Sequence, residues 1–266
     1  MKFIDRYRRL TLWNKIAFWG ALSSLMAIPL SIGFYISSKV DIQDYSPVKT
    51  DIYVEPYTLE ISDNYFEVYS RLKNTLWSQQ VSGHISKATI SDIDSDGKSE
   101  VIIGVRGEGK DIGKIFVFDS NGNSVWIRDT TSPPNYSGGR SGRLMVTDFE
   151  VADLFGKGRK QIISISIDAH GWYQTRICIF DYDGTLLSSY WHPGHLGPIK
   201  IGSKFAGEQK VIAVAGINND LARNYEGEGY PYCLFALDPR NVRGEAPPYY
   251  GKAGAGSQLW YGIFFT

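Results

Sequence analysis

Four carboxylates fall within nine residues of this chain: Asp92, Asp94, Asp96 and Glu100. Negative groups at that spacing repel one another unless a cation neutralises them. Their side chains, with the backbone carbonyl of Lys98, offer five oxygen positions to one hard divalent ion. Calcium takes about six to eight oxygens at flexible geometry, and Gly97 permits the sharp turn that such a loop needs. The chemistry in view is ion binding, with structural calcium as the leading reading. The bland alternative is a solvated acidic turn.

Asp-x-Asp-x-Asp-Gly also opens an EF-hand loop, but that loop closes on a bidentate Glu at position twelve and lies between helices. Position twelve counted from Asp92 is Ile103. The flanks, Ala88-Thr89-Ile90 and Val101-Ile102-Ile103, are rich in β-branched residues, which predicts a strand on each side. The segment from Asp92 to Ile103 resembles the calcium loop of FG-GAP repeats, also called VCBS repeats, found in integrin alpha-type β-propellers. The resemblance implies that the loop joins the first two strands of a propeller blade and that calcium holds the turn. It also implies the ligands: Asp92, Asp94, Asp96 and Glu100 by side chain, and Lys98 by its carbonyl.

Weaker echoes run from about Tyr65 onward. Glu67–Trp77 resembles Ile115–Trp126, and aligning the two tryptophans sets Val68 on Val117 and Tyr69 on Phe118. The second of these is a hairpin turning at Asn121-Gly122. Thr175–Leu187 is a third copy, turning at Asp183-Gly184, and Tyr232–Asp238 a fourth, with a delayed return strand at Leu259–Phe264. The loop recurs too: Asp153 falls on Asp92 and Gly158 on Gly97, while Phe155, Lys157 and Gln161 replace Asp94, Asp96 and Glu100. A lysine in a ligand position forbids calcium there. A third loop, Gly202–Ala213, keeps only Gly207 and the strand after it. Units of about 40–50 residues with four strands each mark propeller blades.

The expected fold is therefore all-β, a β-propeller-like array of three to four four-stranded blades. Recognisable blades span 84–128, 145–191 and 197–265. A hairpin at 65–81 either closes a ring against the last strand or belongs to a further blade begun at Ile52. The array is a small or open ring, or a piece of a larger one.

The first 40 residues stand apart. No charge occurs between Lys15 and Lys39, and a run of about 20 apolar residues spans a bilayer as a helix. Trp13, Trp19 and Tyr35 sit near its ends, where aromatic belts form. No small-x-small cleavage site is evident, which favours an uncleaved anchor over a signal peptide. Lys2, Arg6, Arg8, Arg9 and Lys15 precede the span, so the N-terminus is expected in the cytoplasm and the remainder outside. The expected organisation is a cytoplasmic tail at 1–15, a transmembrane helix in membrane lipid at 16–38, a stalk or first strands at 39–64, and the propeller at 65–266. Weak calcium loops suit that side of the membrane.

Lys plus Arg and Asp plus Glu are both 28, so net charge is zero, which argues against a nucleic-acid partner. Cys178 and Cys233 form an even pair in apolar runs, open to a disulfide or to two buried thiols. His192-Pro-Gly-His195 reads as an exposed turn ahead of a metal site, for lack of a third ligand. His84 and His170 are isolated, and Gly138–Arg143 reads as a flexible loop. Trp126, Trp172, Trp191 and Trp260 read as blade-to-blade packing ahead of sugar platforms. No nucleophile elbow, zinc-protease helix or phosphate loop occurs. The expected role is a calcium-binding interaction or adhesion module for a protein or glycan. An extracytoplasmic enzyme or a sensor subunit, with its site on the long loops 129–143, 218–229 and 240–258, is the alternative.

Overall fold

The computed structural model describes residues 54–131, 144–168, 174–204, 209–219, 231–243 and 258–265. The predicted span 16–38, His170, Trp172 and the segment Gly138–Arg143 lie outside them, as do most of the three long loops. Among the described residues no helix is long and apolar enough to cross a membrane.

Among the described residues, fifteen strands form four antiparallel meanders in chain order. The first sheet has three strands: β1 (Thr58–Ser62), β2 (Tyr65–Tyr69) and β3 (Thr75–Gln80). The second holds β4 (His84–Ser91), β5 (Glu100–Arg106), β6 (Lys114–Phe118) and β7 (Ser124–Asp129). The third holds β8 (Leu144–Ala152), β9 (Gln161–Asp168), β10 (Thr175–Phe180) and β11 (Leu186–His192). The fourth holds β12 (Leu196–Lys204), β13 (Gln209–Ile217), β14 (Pro231–Leu237) and β15 (Gln258–Phe265). Four-stranded meanders stacked face to face are the blades of a β-propeller. The hairpin at 65–81 pairs with the preceding β1, which makes it a blade in its own right.

Period-two alternation sends one side chain set to each face, so a blade between two neighbours is apolar on both. β5 is buried along Glu100–Val105: Val101, Ile103 and Val105 pack toward Phe66 and Val68 of the first sheet, while Ile102 packs toward Val146 and Phe149 of the third. The third and fourth sheets meet through Ile163, Ile165, Ile177, Tyr190, Ile199, Val214 and Phe235. The leading strands lie together, β8 touching β4 and β12. A charge relay links them: Lys87 Nζ lies 2.8 Å from Asp148 Oδ1 and 3.3 Å from Glu150 Oε1, and Lys200 Nζ 3.6 Å from Glu150 Oε1. Burial alone would lower the Lys87 pKa, but the two carboxylates outweigh it and hold it above its ordinary value.

The outer hairpins share one register. Val68 pairs with Trp77 and Val117 with Trp126, each followed by a bulge. The same bulge falls between Ile179 and Phe180 and between Ala236 and Leu237. Trp77 Nε1 donates to the Ser120 carbonyl at 2.9 Å, and Trp126 Nε1 to the Tyr182 carbonyl at 2.8 Å. Each indole thus reaches the hairpin turn of the next blade, and its ring tilts onto the phenylalanine before that turn, Phe118 or Phe180. Gly122 and Gly184, at φ +85° and +80°, lie under the indoles; a Cβ on either would sit 2.8 Å from a ring carbon. Trp126 and Trp191 are buried, as blade packing requires.

Cys178 and Cys233 are buried thiols on different sheets and are not joined to each other, which removes the disulfide alternative. Burial pushes the Cys178 thiol up to about 11. The His192–His195 turn is not exposed: His192, Pro193 and Gly194 are buried, and His192 Nε2 lies 3.0 Å from the Ile217 carbonyl. The Pro-Gly pair read as a surface turn because its cover, the end of β13, is remote in sequence.

Candidate metal centre

The acidic loop joins β4 to β5, the first two strands of the second blade. Ser91 pairs with Glu100, so the strands deliver both ends of the loop at a fixed separation. Within it each aspartate caps the backbone ahead. Asp92 accepts from the N–H groups of Ser95 at 2.7 Å and Gly97 at 3.1 Å, Asp94 from Asp96 at 3.1 Å, and Asp96 from Lys98 at 2.7 Å. Ser95 and Gly97 take positive φ, 66° and 84°, which tightens the coil.

One oxygen each from Asp92, Asp94 and Glu100 lies within 4.8 Å of the others, a group able to hold a metal ion. Among the described residues it is the only such trio of His, Cys, Asp or Glu. Asp96 stands outside the trio, its carboxylate turned to the Lys98 N–H. Asp94, Asp96, Lys98 and Glu100 line one recess of about 340 Å³. Asp119 from the β6–β7 turn, and Tyr182 and Asp183 from the third blade, complete it. The sequence marks those turns by Asn-Gly and Asp-Gly but carries no sign of their approach to the loop.

Glu100 is buried and Oε2 accepts from the Ile93 N–H at 2.9 Å. Burial pushes its carboxyl up to about 7; the Ile93 N–H opposes this, and the charges of Asp94, Asp96 and Asp92 add to it. A divalent ion would invert that balance, since positive charge favours the ionised form. These donors are all oxygen, as calcium prefers.

The third blade repeats the frame with a single carboxylate, Asp153. Asp153 accepts from Phe155 at 3.2 Å, Lys157 at 3.1 Å and Gly158 at 2.8 Å. Gln161 Oε1 accepts from the Leu154 N–H at 3.0 Å, as Glu100 does from Ile93. Burial pushes Asp153 up, but those backbone donors outweigh it and hold it below the usual carboxylate range. The two loops touch: Ser95 Oγ donates to the Gly158 carbonyl at 2.5 Å, and the Lys160 N–H to the Ile93 carbonyl at 2.8 Å. Gly207, in the corresponding loop of the fourth blade, lies outside the described residues.

No family model matches the chain, and no curated protein matches it. Solved structures do. "Structure of Dos1 propeller" has 12% identity and a TM-score of 0.48, covering 76% of this chain and 42% of that one. BBS1N, from its crystal structure in complex with ARL6DN, has 8% identity and a TM-score of 0.41, covering 74% of this chain and 60% of that one. The biofilm matrix protein Bap1 of V. cholerae has 14% identity and a TM-score of 0.30, covering 79% of this chain and 35% of that one. The chain thus spans about two fifths to three fifths of the first two.

Proposed function

We propose that this chain is a membrane-anchored, extracytoplasmic interaction module, a β-propeller whose second blade carries one structural calcium ion. The observation behind it is the convergence of Asp92, Asp94 and Glu100 within 4.8 Å at a strand-to-strand bend. Asp96 and the Lys98 carbonyl complete the proposed ligand set. The ion supplies charge neutralisation: it lets Glu100 ionise beside three aspartates and fixes the loop against the Asp153 loop of the next blade. The uncharged run at 16–38 is the proposed anchor, and positive-inside flanks put the blades outside, where calcium is abundant. The ligand is proposed to be a protein or glycan engaging the loops of this rigid scaffold.

Calorimetric titration of the detergent-solubilised full chain with calcium tests the ion site. One site is expected, with a dissociation constant of about 0.1–1 mM, as in extracellular modules. Asp94→Asn should abolish the heat. A flat titration of the unaltered chain would overturn the proposal.

A further inference from the structure

The first and fourth sheets each turn one face away from the stack, and the two faces differ in kind. That of the first sheet is polar. It carries Glu60 opposite Glu67, and Tyr65 and Tyr69 donate their hydroxyls to Glu67. A polar outer face is what caps a stack of repeats. That of the fourth sheet is apolar on its two middle strands. On β13 and β14, Ala213 pairs with Ala236 and Ala215 with Leu234, with Tyr232 one pair further on. Leu234 is 41% exposed and Tyr232 43%. The opposite face of the same strands, with Ile212, Val214 and Phe235, is buried against the third sheet. So the fourth sheet presents outward the kind of surface that each inner blade buries on its neighbour. Lys200, at the leading-strand edge, reaches back to Glu150 and leaves the middle of the face uncharged.

We propose that this face docks a second copy of the chain, fourth sheet to fourth sheet, about a two-fold axis. Three features of the face favour that occupant. A face with an uncharged apolar centre is complementary to itself there, as an isologous contact requires. The alternative head-to-tail contact would press Tyr232 and Leu234 onto the carboxylates of Glu60 and Glu67, which would then lose water without a partner. The alanines at the centre permit close approach of two sheets, and a recess of about 560 Å³ beside Leu196, Pro198, Ala215 and Leu234 can receive a protruding side chain. A four-stranded face of this length offers about 500 Å² per copy, so a pair buries about 1,000 Å², the lower bound for a specific interface. Dissociation is therefore expected in about the micromolar range.

The test is sedimentation of the full chain in a mild detergent from about 1 to about 100 μM, with circular dichroism as the check on folding. The expected result is a concentration-dependent doubling of protein mass. Leu234→Glu and, separately, Ala215→Glu should weaken it at least about tenfold, while Ser62→Glu on the first sheet leaves it unchanged. A monomer throughout the range would overturn the inference. So would a dimer that survives either folded variant, which would point to association through another part of the chain, or one that Ser62→Glu dissolves equally.

Discussion

Glu100 and Gln161 hold the same place in consecutive blades and differ by one ionisable group. Gln161 makes the same hydrogen bond with a neutral side chain, so the frame does not require a carboxylate there. Glu100→Gln should therefore fold, lose the calcium response, and stabilise the ion-free protein above about pH 7. The sign follows from the raised carboxyl. Its folded pKa, about 7, exceeds the ordinary 4.5, so the folded chain holds a proton that the unfolded chain has released. Ion-free stability falls as pH rises through that window, and the Gln variant should lack the fall. His192 behaves oppositely. Burial pushes its imidazole down to about 4 from 6.5. Below 6.5 the unfolded chain binds a proton the folded chain refuses, so stability falls by about 3 kcal/mol between pH 6.5 and pH 4. Urea denaturation across that range checks it, with His192→Gln expected to flatten the slope.

At the scale of elements, the indole latches carry the stacking order. Trp126→Ala should cost about 3–5 kcal/mol through the cavity and the lost hydrogen bond. Gly184→Ala should be harmful for two reasons, positive φ and collision with the Trp126 ring. In the Trp126→Ala background the collision is gone, so the same substitution should cost less, a non-additivity that a double-mutant cycle measures. These hairpins were legible in sequence because their signals are local: alternation, Asn-Gly or Asp-Gly, and a tryptophan at constant offset. Setting Val68 on Val117 reproduces the observed pairing with Trp77 and Trp126, and the blade limits agree to within a residue or two. What sequence did not disclose is non-local. Gly194 is forced by the Ile217 carbonyl, which a Cβ there would approach to 1.8 Å. The Asp153 loop was legible as an echo of the Asp92 loop, but not as a full copy of its hydrogen-bond frame. Asp96 illustrates the same limit: its spacing predicts a ligand, while its carboxylate is turned to the Lys98 N–H.

At the scale of the blade stack in residues 54–265, the first sheet is polar on its outward face and the fourth is apolar on its middle strands, with ion pairs along the leading strands. The proposed anchor sets which side of the membrane holds it. Protease shaving of intact cells should remove epitopes placed after Lys39 and spare one placed before Lys15; protection of the later epitopes would reverse the orientation. The acidic loop lies where two blades meet, so occupancy by the proposed ion should register in the cooperative unfolding of the stack. The most direct measurement is the thermal unfolding of the full chain near pH 7 with calcium and with chelator. At about 1 mM calcium and a dissociation constant of about 0.1 mM, ligation adds about 1.4 kcal/mol, and the melting temperature should rise by a few degrees and return on chelation. Superimposable curves in calcium and in chelator would contradict it.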